Sequence, residues 1–209
     1  MSVIPELSTS LGRTDEQANI ALAERIAAEK NSAAVRELAE VLTSKDKALK
    51  SDAIKVLYEV GAREPLLIAP FIASFKNLLT SPDNRMVWGA MSAIDAIASV
   101  KPENVYMLLP QIMQAVDKGS VITRDRAVSA LAKLAVEERF ARSTMPPLLE
   151  QLRNCPVNQL PMYAERVAVP AKGNWAREME KVLSERLVGV EQEPKRKRIE
   201  KVLKKLAKV

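Results

Sequence analysis

The stretch that decides the fold is AMSAIDAI, at residues 90–97. A similar stretch, AIKVLYEV, occupies residues 53–60, and a third, AVSALAKL, occupies residues 127–134. Each copy begins 37 residues after the previous one, and a fainter copy begins at Ala164, after the same interval. A fixed period of this length indicates a chain built from repeated supersecondary units that stack on one another.

Each copy carries apolar residues at its first, fourth, fifth and eighth positions, as Ala90, Ala93, Ile94 and Ile97 show in the middle copy. This spacing places the four side chains in one stripe along a helix, so we expect all three stripes to be buried. The dominance of Ala, Leu, Val and Ile over aromatic residues, which make up 4% of the chain, also favours closely packed helices over a β-fold.

A second helix follows each copy and carries proline beside apolar residues. Proline is tolerated in the first turn of a helix, where its missing N–H has no intrahelical partner. We therefore expect the second helices to open near the prolines and Gly61 to lie in a turn. The prolines concerned are Pro70, Pro110, Pro146 and Pro147.

From about Lys45 to Cys155 the chain resembles the HEAT repeat family, which pairs a first helix of spaced Ala and Leu with a second helix opening on an apolar-Pro-apolar step. Asp83 stands at a turn position where the family often carries Asp, whereas Trp88 follows Val87 where the family often carries Arg. The resemblance implies an all-α fold, a right-handed α-α superhelix of about five helix pairs plus a C-terminal helix. We expect one domain over residues 1–209, with repeats at about 14–43, 45–79, 82–117, 120–154 and 156–188 and a basic helix at 194–208.

The composition disfavours most catalytic chemistry. The chain has no histidine, which removes histidine-based nucleophilic catalysis and histidine metal sites. The single cysteine, Cys155, cannot form an internal disulfide and has no metal-binding spacing around it, so a cytoplasmic location is expected. We predict no enzyme activity and no catalytic, cofactor-binding or metal-binding residues.

No apolar run reaches the length that a membrane span needs, and residues 1–13 lack the apolar run of a signal peptide.

The net positive charge is confined to the basic helix. The formal net charge is +6, and residues 193–209, with eight basic and two acidic side chains, account for all of it. Apolar residues recur there at helical spacing, which predicts an amphipathic helix that either caps the last repeat or contacts nucleic acid, an anionic membrane or an acidic partner. The polyanion-binding candidates are Lys195, Arg196, Lys197, Arg198, Lys201, Lys204, Lys205 and Lys208.

Polar residues recur on one face of the second helices. The positions four and seven residues after Pro70, Pro110 and Pro147 are polar in every copy, one helical turn apart. In HEAT-like stacks the second helices line the concave side, so these residues form either a groove for a protein or peptide or a solvated surface. The predicted partner-binding strip consists of Ser74, Asn77, Gln114, Asp117, Gln151 and Asn154.

The two tryptophans, Trp88 and Trp175, either fill space between repeats or anchor a partner. DNA glycosylases of the alkylation-repair type are built from HEAT-like repeats and use an Asp with tryptophans in a basic groove, and Asp95 lies seven residues after Trp88. The zero net charge outside the basic helix disfavours that function. The leading hypothesis is therefore a non-catalytic scaffold that binds a protein or peptide, and the alternative is a nucleic-acid-binding protein that uses the basic helix.

Overall fold

A computed structural model describes residues 2–208, and every regular element in that part of the chain is helical. Two 3₁₀ turns occupy Ile4–Glu6 and Ala69–Phe71. The α-helices are α1 (Gln17–Glu29), α2 (Ser32–Val41), α3 (Lys47–Arg63), α4 (Pro65–Ile68), α5 (Ile72–Leu78), α6 (Asn84–Ile97), α7 (Pro102–Tyr106), α8 (Leu109–Lys118), α9 (Val121–Ala135), α10 (Glu138–Asn154), α11 (Leu160–Val167), α12 (Asn174–Leu187) and α13 (Glu193–Leu206). They group into two compact units, the first ending at Arg126 and the second beginning at Ala127, within α9. The single domain expected from the sequence stays a prediction.

The predicted apolar stripe of α3 lies at the centre of the first unit. Ala53, Val56, Leu57 and Val60 are fully buried, and α3 contacts both α1 and α6. Each buried Val or Leu side chain contributes about 1.5–3 kcal/mol relative to an exposed one. The equivalent positions of α6 and α9 are also buried, so the prediction of three buried stripes is confirmed.

Aspartates fix the starts of α3 and α6. The Asp46 carboxylate accepts hydrogen bonds from the N–H groups of Ala48 and Leu49, and the Asp83 carboxylate accepts one from the N–H of Arg85. These N–H groups have no intrahelical partner, and an N-cap of this kind stabilises a helix by about 1 kcal/mol. Asp83, placed in a turn by the sequence pattern, therefore also sets the first residue of α6.

Gly61 does not lie in a turn, contrary to the sequence prediction. It is buried inside α3, which continues to Arg63. A Cβ at this position would lie 2.3 Å from Cδ1 of Ile68, so the missing side chain is what lets α4 approach α3. The chain leaves the helix at Glu64, and Pro65 opens α4 with the fixed φ that suits a first turn.

The prolines of the second helices play three different roles. Pro110 lies in the first turn of α8, as expected, and Pro70 lies in the 3₁₀ turn that separates α4 from α5. Pro146 and Pro147, by contrast, lie inside α10, which begins eight residues before Pro146, so the predicted start of this helix was wrong. Proline inside a helix donates no backbone hydrogen bond. Here seven buried side chains of α10 keep the helix continuous despite that loss.

In the second unit, α10 contacts α11 and α12, and α13 contacts the same two helices. A short connection joins α11 to α12 and ends at Gly173, whose φ of +54° lies in the left-handed region that glycine adopts without strain. This connection brings Lys172 and Trp175 together, because the N–H of Trp175 donates to the carbonyl of Lys172 at 3.0 Å.

The segment before α1 is fastened to the first unit by a buried polar network. The Asp52 carboxylate on α3 accepts hydrogen bonds from the N–H of Thr9 at 2.7 Å and from Nδ2 of Asn19 at 2.8 Å. The side-chain oxygen of Asn19 in turn accepts from the N–H of Ser8 at 3.0 Å. Asn19 is fully buried, so each of its polar atoms depends on these partners.

Candidate interaction surfaces

The structure divides the predicted partner-binding strip between the two units. Ser74 and Gln151 are half-buried and the other four residues are exposed. The side-chain amide of Asn154 donates to Glu150 on its own helix, so part of its hydrogen-bonding capacity is already used. The strip residues of the first unit lie on α5 (Ser74, Asn77) and α8 (Gln114, Asp117), and those of the second unit lie on α10 (Gln151, Asn154).

Gln114, a strip residue of the first unit, lines a cavity. A cleft of about 160 Å³, called here the Gln114 cleft, opens between α8 and the turn that joins α5 to α6. Within residues 2–208 the side chains of Gln114 and Lys118 have no hydrogen-bond partner, so their polar groups are available to a ligand. The lining residues are Leu79, Thr80, Ser81, Asn84, Val87, Gln114, Ala115, Lys118 and Gly119.

The first unit carries an ion-pair network that has little signal in the sequence. Nζ of Lys55 lies 3.1 Å from Glu16 and 2.9 Å from Glu59, and the Lys55 side chain is only 8% exposed. Burial raises the pKa of the Glu16 carboxyl, but hydrogen bonds from Arg85 and Lys55 outweigh it, so the net shift is downward. The four-residue spacing of Lys55 and Glu59 was the one local signal. Arg85 and Glu16 are 69 residues apart, and no sequence pattern joins them.

Trp88 is half-buried and packs against members of this network. The guanidinium carbon of Arg85 lies 4.9 Å from the centroid of the Trp88 ring, and the Tyr58 ring lies 5.5 Å from it. Because Glu16 holds Arg85, the cation stays over the indole face, where the ring quadrupole attracts it. Trp88 therefore serves packing between α3 and α6.

Asp95, the residue named by the glycosylase hypothesis, is 5% exposed. One of its carboxylate oxygens lies 3.7 Å from Nη1 of Arg126. A carboxylate that acts on DNA must reach the substrate, and a buried, ion-paired Asp does not meet that requirement. The geometry around Asp95 thus disfavours the glycosylase function.

The basic helix α13 docks on the second unit through its apolar side. Ile199, Val202 and Leu206 are buried. The guanidinium of Arg198 donates two hydrogen bonds to Glu165 on α11, at 2.8 and 2.6 Å, in a bidentate arrangement. These bonds from Arg198 hold the pKa of Glu165 below its usual value despite some desolvation. This arrangement is that of a capping helix.

The basic residues of α13 fall into two groups. The first four have partners within the second unit: Lys195 with Asn158, Arg196 with Glu200, Lys197 with Glu193 and Arg198 with Glu165. The last four are exposed and have no ion pair or hydrogen bond within residues 2–208, so they present positive charge to solvent. These outward-facing residues are Lys201, Lys204, Lys205 and Lys208.

Comparison with known proteins gives the class of fold. No family model matches the chain, and no curated protein does. A designed armadillo repeat protein in complex with the peptide (KR)4 superposes with a TM-score of 0.69 at 17% identity, over 97% of this chain and 99% of the other. Computationally designed armadillo repeat proteins for modular peptide recognition give 0.66 at 17% identity, over 94% and 93% of the two chains. An engineered protein from a structural genomics consortium gives 0.67 at 19% identity, over 100% and 98%.

At these identities the likeness shows the fold alone, and the chain is a helical repeat protein of the α-solenoid class with an armadillo-like fold.

In residues 2–208 no helix combines the length and the apolar character that crossing a membrane requires. The same part of the chain contains no group of three or more His, Cys, Asp or Glu side chains placed to hold a metal ion.

Proposed function

We propose that this protein is a non-catalytic interaction protein that binds a peptide or an extended segment of another protein, with the Gln114 cleft as part of the contact. The observation that carries the proposal is the Gln114 cleft. It is a concave surface, and the Gln114 side chain in it has no hydrogen-bond partner within the described residues. Two of the similar structures support this class of partner, since one is a complex with a peptide and another was made for peptide recognition.

The chemistry of the Gln114 cleft suits a peptide backbone. The amide of Gln114 both donates and accepts hydrogen bonds, as a backbone N–H and C=O pair requires. Lys118 adds a donor at the rim, and Leu79, Val87 and Ala115 supply apolar surface. A concave site with a few convergent polar groups on an apolar lining is the usual form of a binding site. The other strip residues of the first unit, Ser74 and Asn77 on α5 and Asp117 on α8, extend this proposal within that unit.

The proposal is tested by replacing Gln114 with a photo-crosslinking residue, identifying the captured peptide by mass spectrometry, and measuring its affinity. Asn104, another exposed amide of the first unit, is the matched control position. We expect Gln114→Ala with Lys118→Ala to weaken binding of the recovered peptide about tenfold, because alanine scanning assigns such losses to central contacts. The melting temperature should stay unchanged, as for most exposed substitutions.

Equal affinity of this double variant and the parent would remove the Gln114 cleft from the contact. The double variant Gln114→Ala with Gln151→Ala, compared with each single variant, then shows whether α10 takes part in binding. Asn104→Ala should bind like the parent in every assay.

A second candidate function is polyanion binding by the four outward-facing lysines of α13. Changing all four to Gln removes the charge and leaves the buried side of the helix intact. We expect the variant to elute from heparin at lower salt, since each lost contact removes about one released counterion from the salt dependence. Unchanged elution would exclude α13 as a polyanion site. A fluorescent oligonucleotide measured in parallel distinguishes nucleic acid from other polyanions.

The HEAT subclass and a cytoplasmic location are further parts of the proposal. The 37-residue period and the Asp83 turn support the HEAT resemblance, although two of the repeats contain three α-helices and not two. Cys155 is buried and forms no disulfide within the described residues, which suits a reducing compartment.

A further inference from the structure

A second cleft, of about 420 Å³, lies entirely within the second unit. It opens between the start of α10 and the connection that joins α11 to α12, and it is called here the Trp175 cleft. The sequence pattern around Trp175 predicts no neighbours for it. The lining residues are Ala135, Val136, Glu138, Ala141, Arg142, Pro170, Lys172, Gly173 and Trp175.

The cleft combines an aromatic wall with apolar neighbours. Trp175 is half-buried, so part of its ring faces the opening, and its indole N–H has no acceptor within residues 2–208. Val136 is 55% exposed, and Val169, next to the lining residue Pro170, is 69% exposed. An exposed apolar patch around a half-buried tryptophan suits a large apolar side chain of a partner.

The cations of the cleft are unpaired, unlike most arginines of the second unit. Arg142 and Lys172 have no ion pair or hydrogen bond from their side chains within the described residues. Six other arginines of the unit do have partners, namely Arg139, Arg153, Arg166, Arg186, Arg196 and Arg198. A positioned cation that the chain leaves without a partner is available to an external carboxylate.

The charge balance also favours an anionic ligand. Glu138 is the one carboxylate among the lining residues, so the cleft carries two positive charges against one negative. Residues 127–209 hold 17 basic and 10 acidic side chains, a net charge of +7, whereas residues 1–126 hold 15 and 16, a net charge of −1. The second unit thus attracts acidic segments over a range of about one Debye length.

We propose that the Trp175 cleft binds an acidic peptide segment in which a large apolar or aromatic side chain stands beside a carboxylate. The apolar side chain packs against Trp175 and Pro170, and the carboxylate lies between Arg142 and Lys172. Glu138 at the rim and the apolar surface of Val136 and Val169 favour a peptide over a phosphate backbone, which needs a row of cations and repels a carboxylate. This site is separate from the Gln114 cleft and lies in the other unit.

The test uses the full chain and a fluorescein-labelled, acetylated decapeptide of alternating Glu and Phe, followed by fluorescence anisotropy. Arg142→Glu or Lys172→Glu should each weaken binding about fivefold or more, because each replaces an attraction by a repulsion. Arg177→Glu, the same charge change at an exposed arginine of α12 outside the cleft, is the matched control and should weaken binding less than twofold. In a Trp88→Phe background, addition of the unlabelled peptide should change the emission of Trp175.

Three comparisons complete the experiment. A Glu–Ser peptide of the same charge should bind at least about fivefold more weakly than the Glu–Phe peptide, since it lacks the side chain that packs on Trp175. A Lys–Phe peptide should not bind detectably. Equal losses for Arg142→Glu and Arg177→Glu would overturn the site and leave only a general charge effect. Failure of the Glu–Phe peptide to bind at 0.5 mM, or tighter binding of a labelled oligothymidylate through the same residues, would overturn the choice of an acidic peptide. None of these results depends on Gln114, so the two proposals fail separately.

Discussion

Asp52 is expected to hold the N-terminal segment in place, and its substitution gives the sharpest test of the packing described above. Asp52→Ala removes the acceptor of two charge-assisted hydrogen bonds, from the N–H of Thr9 and from Nδ2 of Asn19. The first lost donor belongs to Thr9, which is an exposed residue, but the second belongs to the fully buried side chain of Asn19. Leaving one such group unsatisfied costs about 1–3 kcal/mol, and losing a bond to a charged group adds to that, so we expect about 2–4 kcal/mol in total.

Asp52→Asn should cost less, about 1–3 kcal/mol, for a geometric reason. The new amide offers one oxygen for the two donors that face it, and its NH₂ group must then point at a donor. Asn19 cannot relieve the conflict by rotating its own amide, because its oxygen already accepts from the N–H of Ser8. We therefore expect the free energy of unfolding to decrease from the parent to the Asn variant and again to the Ala variant.

Urea unfolding followed by Trp88 fluorescence, in a Trp175→Phe background, measures this effect in the first unit alone. Tryptic cleavage after Arg13, which is exposed, reports on release of the segment and should accelerate about tenfold for each 1.4 kcal/mol lost locally. Asp46→Asn, at an exposed cap that keeps an acceptor, is the control and should change little. An Asp52→Ala variant with the parent's urea midpoint and cleavage rate would show that the network does not fasten the segment.

Three further predictions concern other contacts. Deleting residues 193–209 should lower the melting temperature and promote aggregation, because it exposes the apolar surfaces of α11 and α12. A monodisperse variant with an unchanged melting temperature would show that α13 is not a cap. The pair of Glu165 and Arg198 should stabilise the fold above about pH 4.5 and lose that contribution as the pH falls through the lowered pKa of Glu165. Since Glu165 is 45% exposed, the effect should not exceed about 1 kcal/mol, and Glu165→Gln should flatten the fall in urea midpoint between about pH 5 and 3. Gly61→Ala should lower the free energy of unfolding by about 1–3 kcal/mol, because the new Cβ overpacks against Ile68. In a double-mutant cycle, Ile68→Val should relieve part of that loss. Strictly additive effects of the two substitutions would contradict the close approach of Gly61 and Ile68.

The parts of the fold that follow from local patterns could be predicted from the sequence. The stripes that begin at Ala53, Ala90 and Ala127 are buried as their helical spacing requires. Features that depend on what an element packs against could not be predicted. Gly61 was assigned to a turn because glycine often ends helices, whereas Ile68 of the next helix decides its role.

The same limit applies to the candidate sites. The strip that includes Gln114 could be predicted, because its positions are polar in every copy. The structure shows that Gln114 lies beside the turn that joins α5 to α6, and this turn completes the cleft. The Trp175 cleft joins the start of α10 to a connection about 30 residues further along the chain, and no spacing rule links Arg142 with Trp175. Long-range pairs such as Arg198 with Glu165 are likewise set by packing and have no local signal.

The fastened N-terminal segment and the docked α13 have a consequence for how the repeat array can change in length. A stack of repeats ends in apolar surfaces that would accept another repeat or another molecule. In the first unit Val3 and Leu7 of the segment before α1 are buried, and in the second unit α13 contacts α11 and α12 and turns lysines outward. A repeat appended outside either segment would have to displace it, whereas a 37-residue repeat inserted between α3 and α6 would meet the buried stripes that begin at Ala53 and Ala90. We therefore expect engineered longer variants to accept a duplicated repeat between α3 and α6 more readily than one added beside either segment.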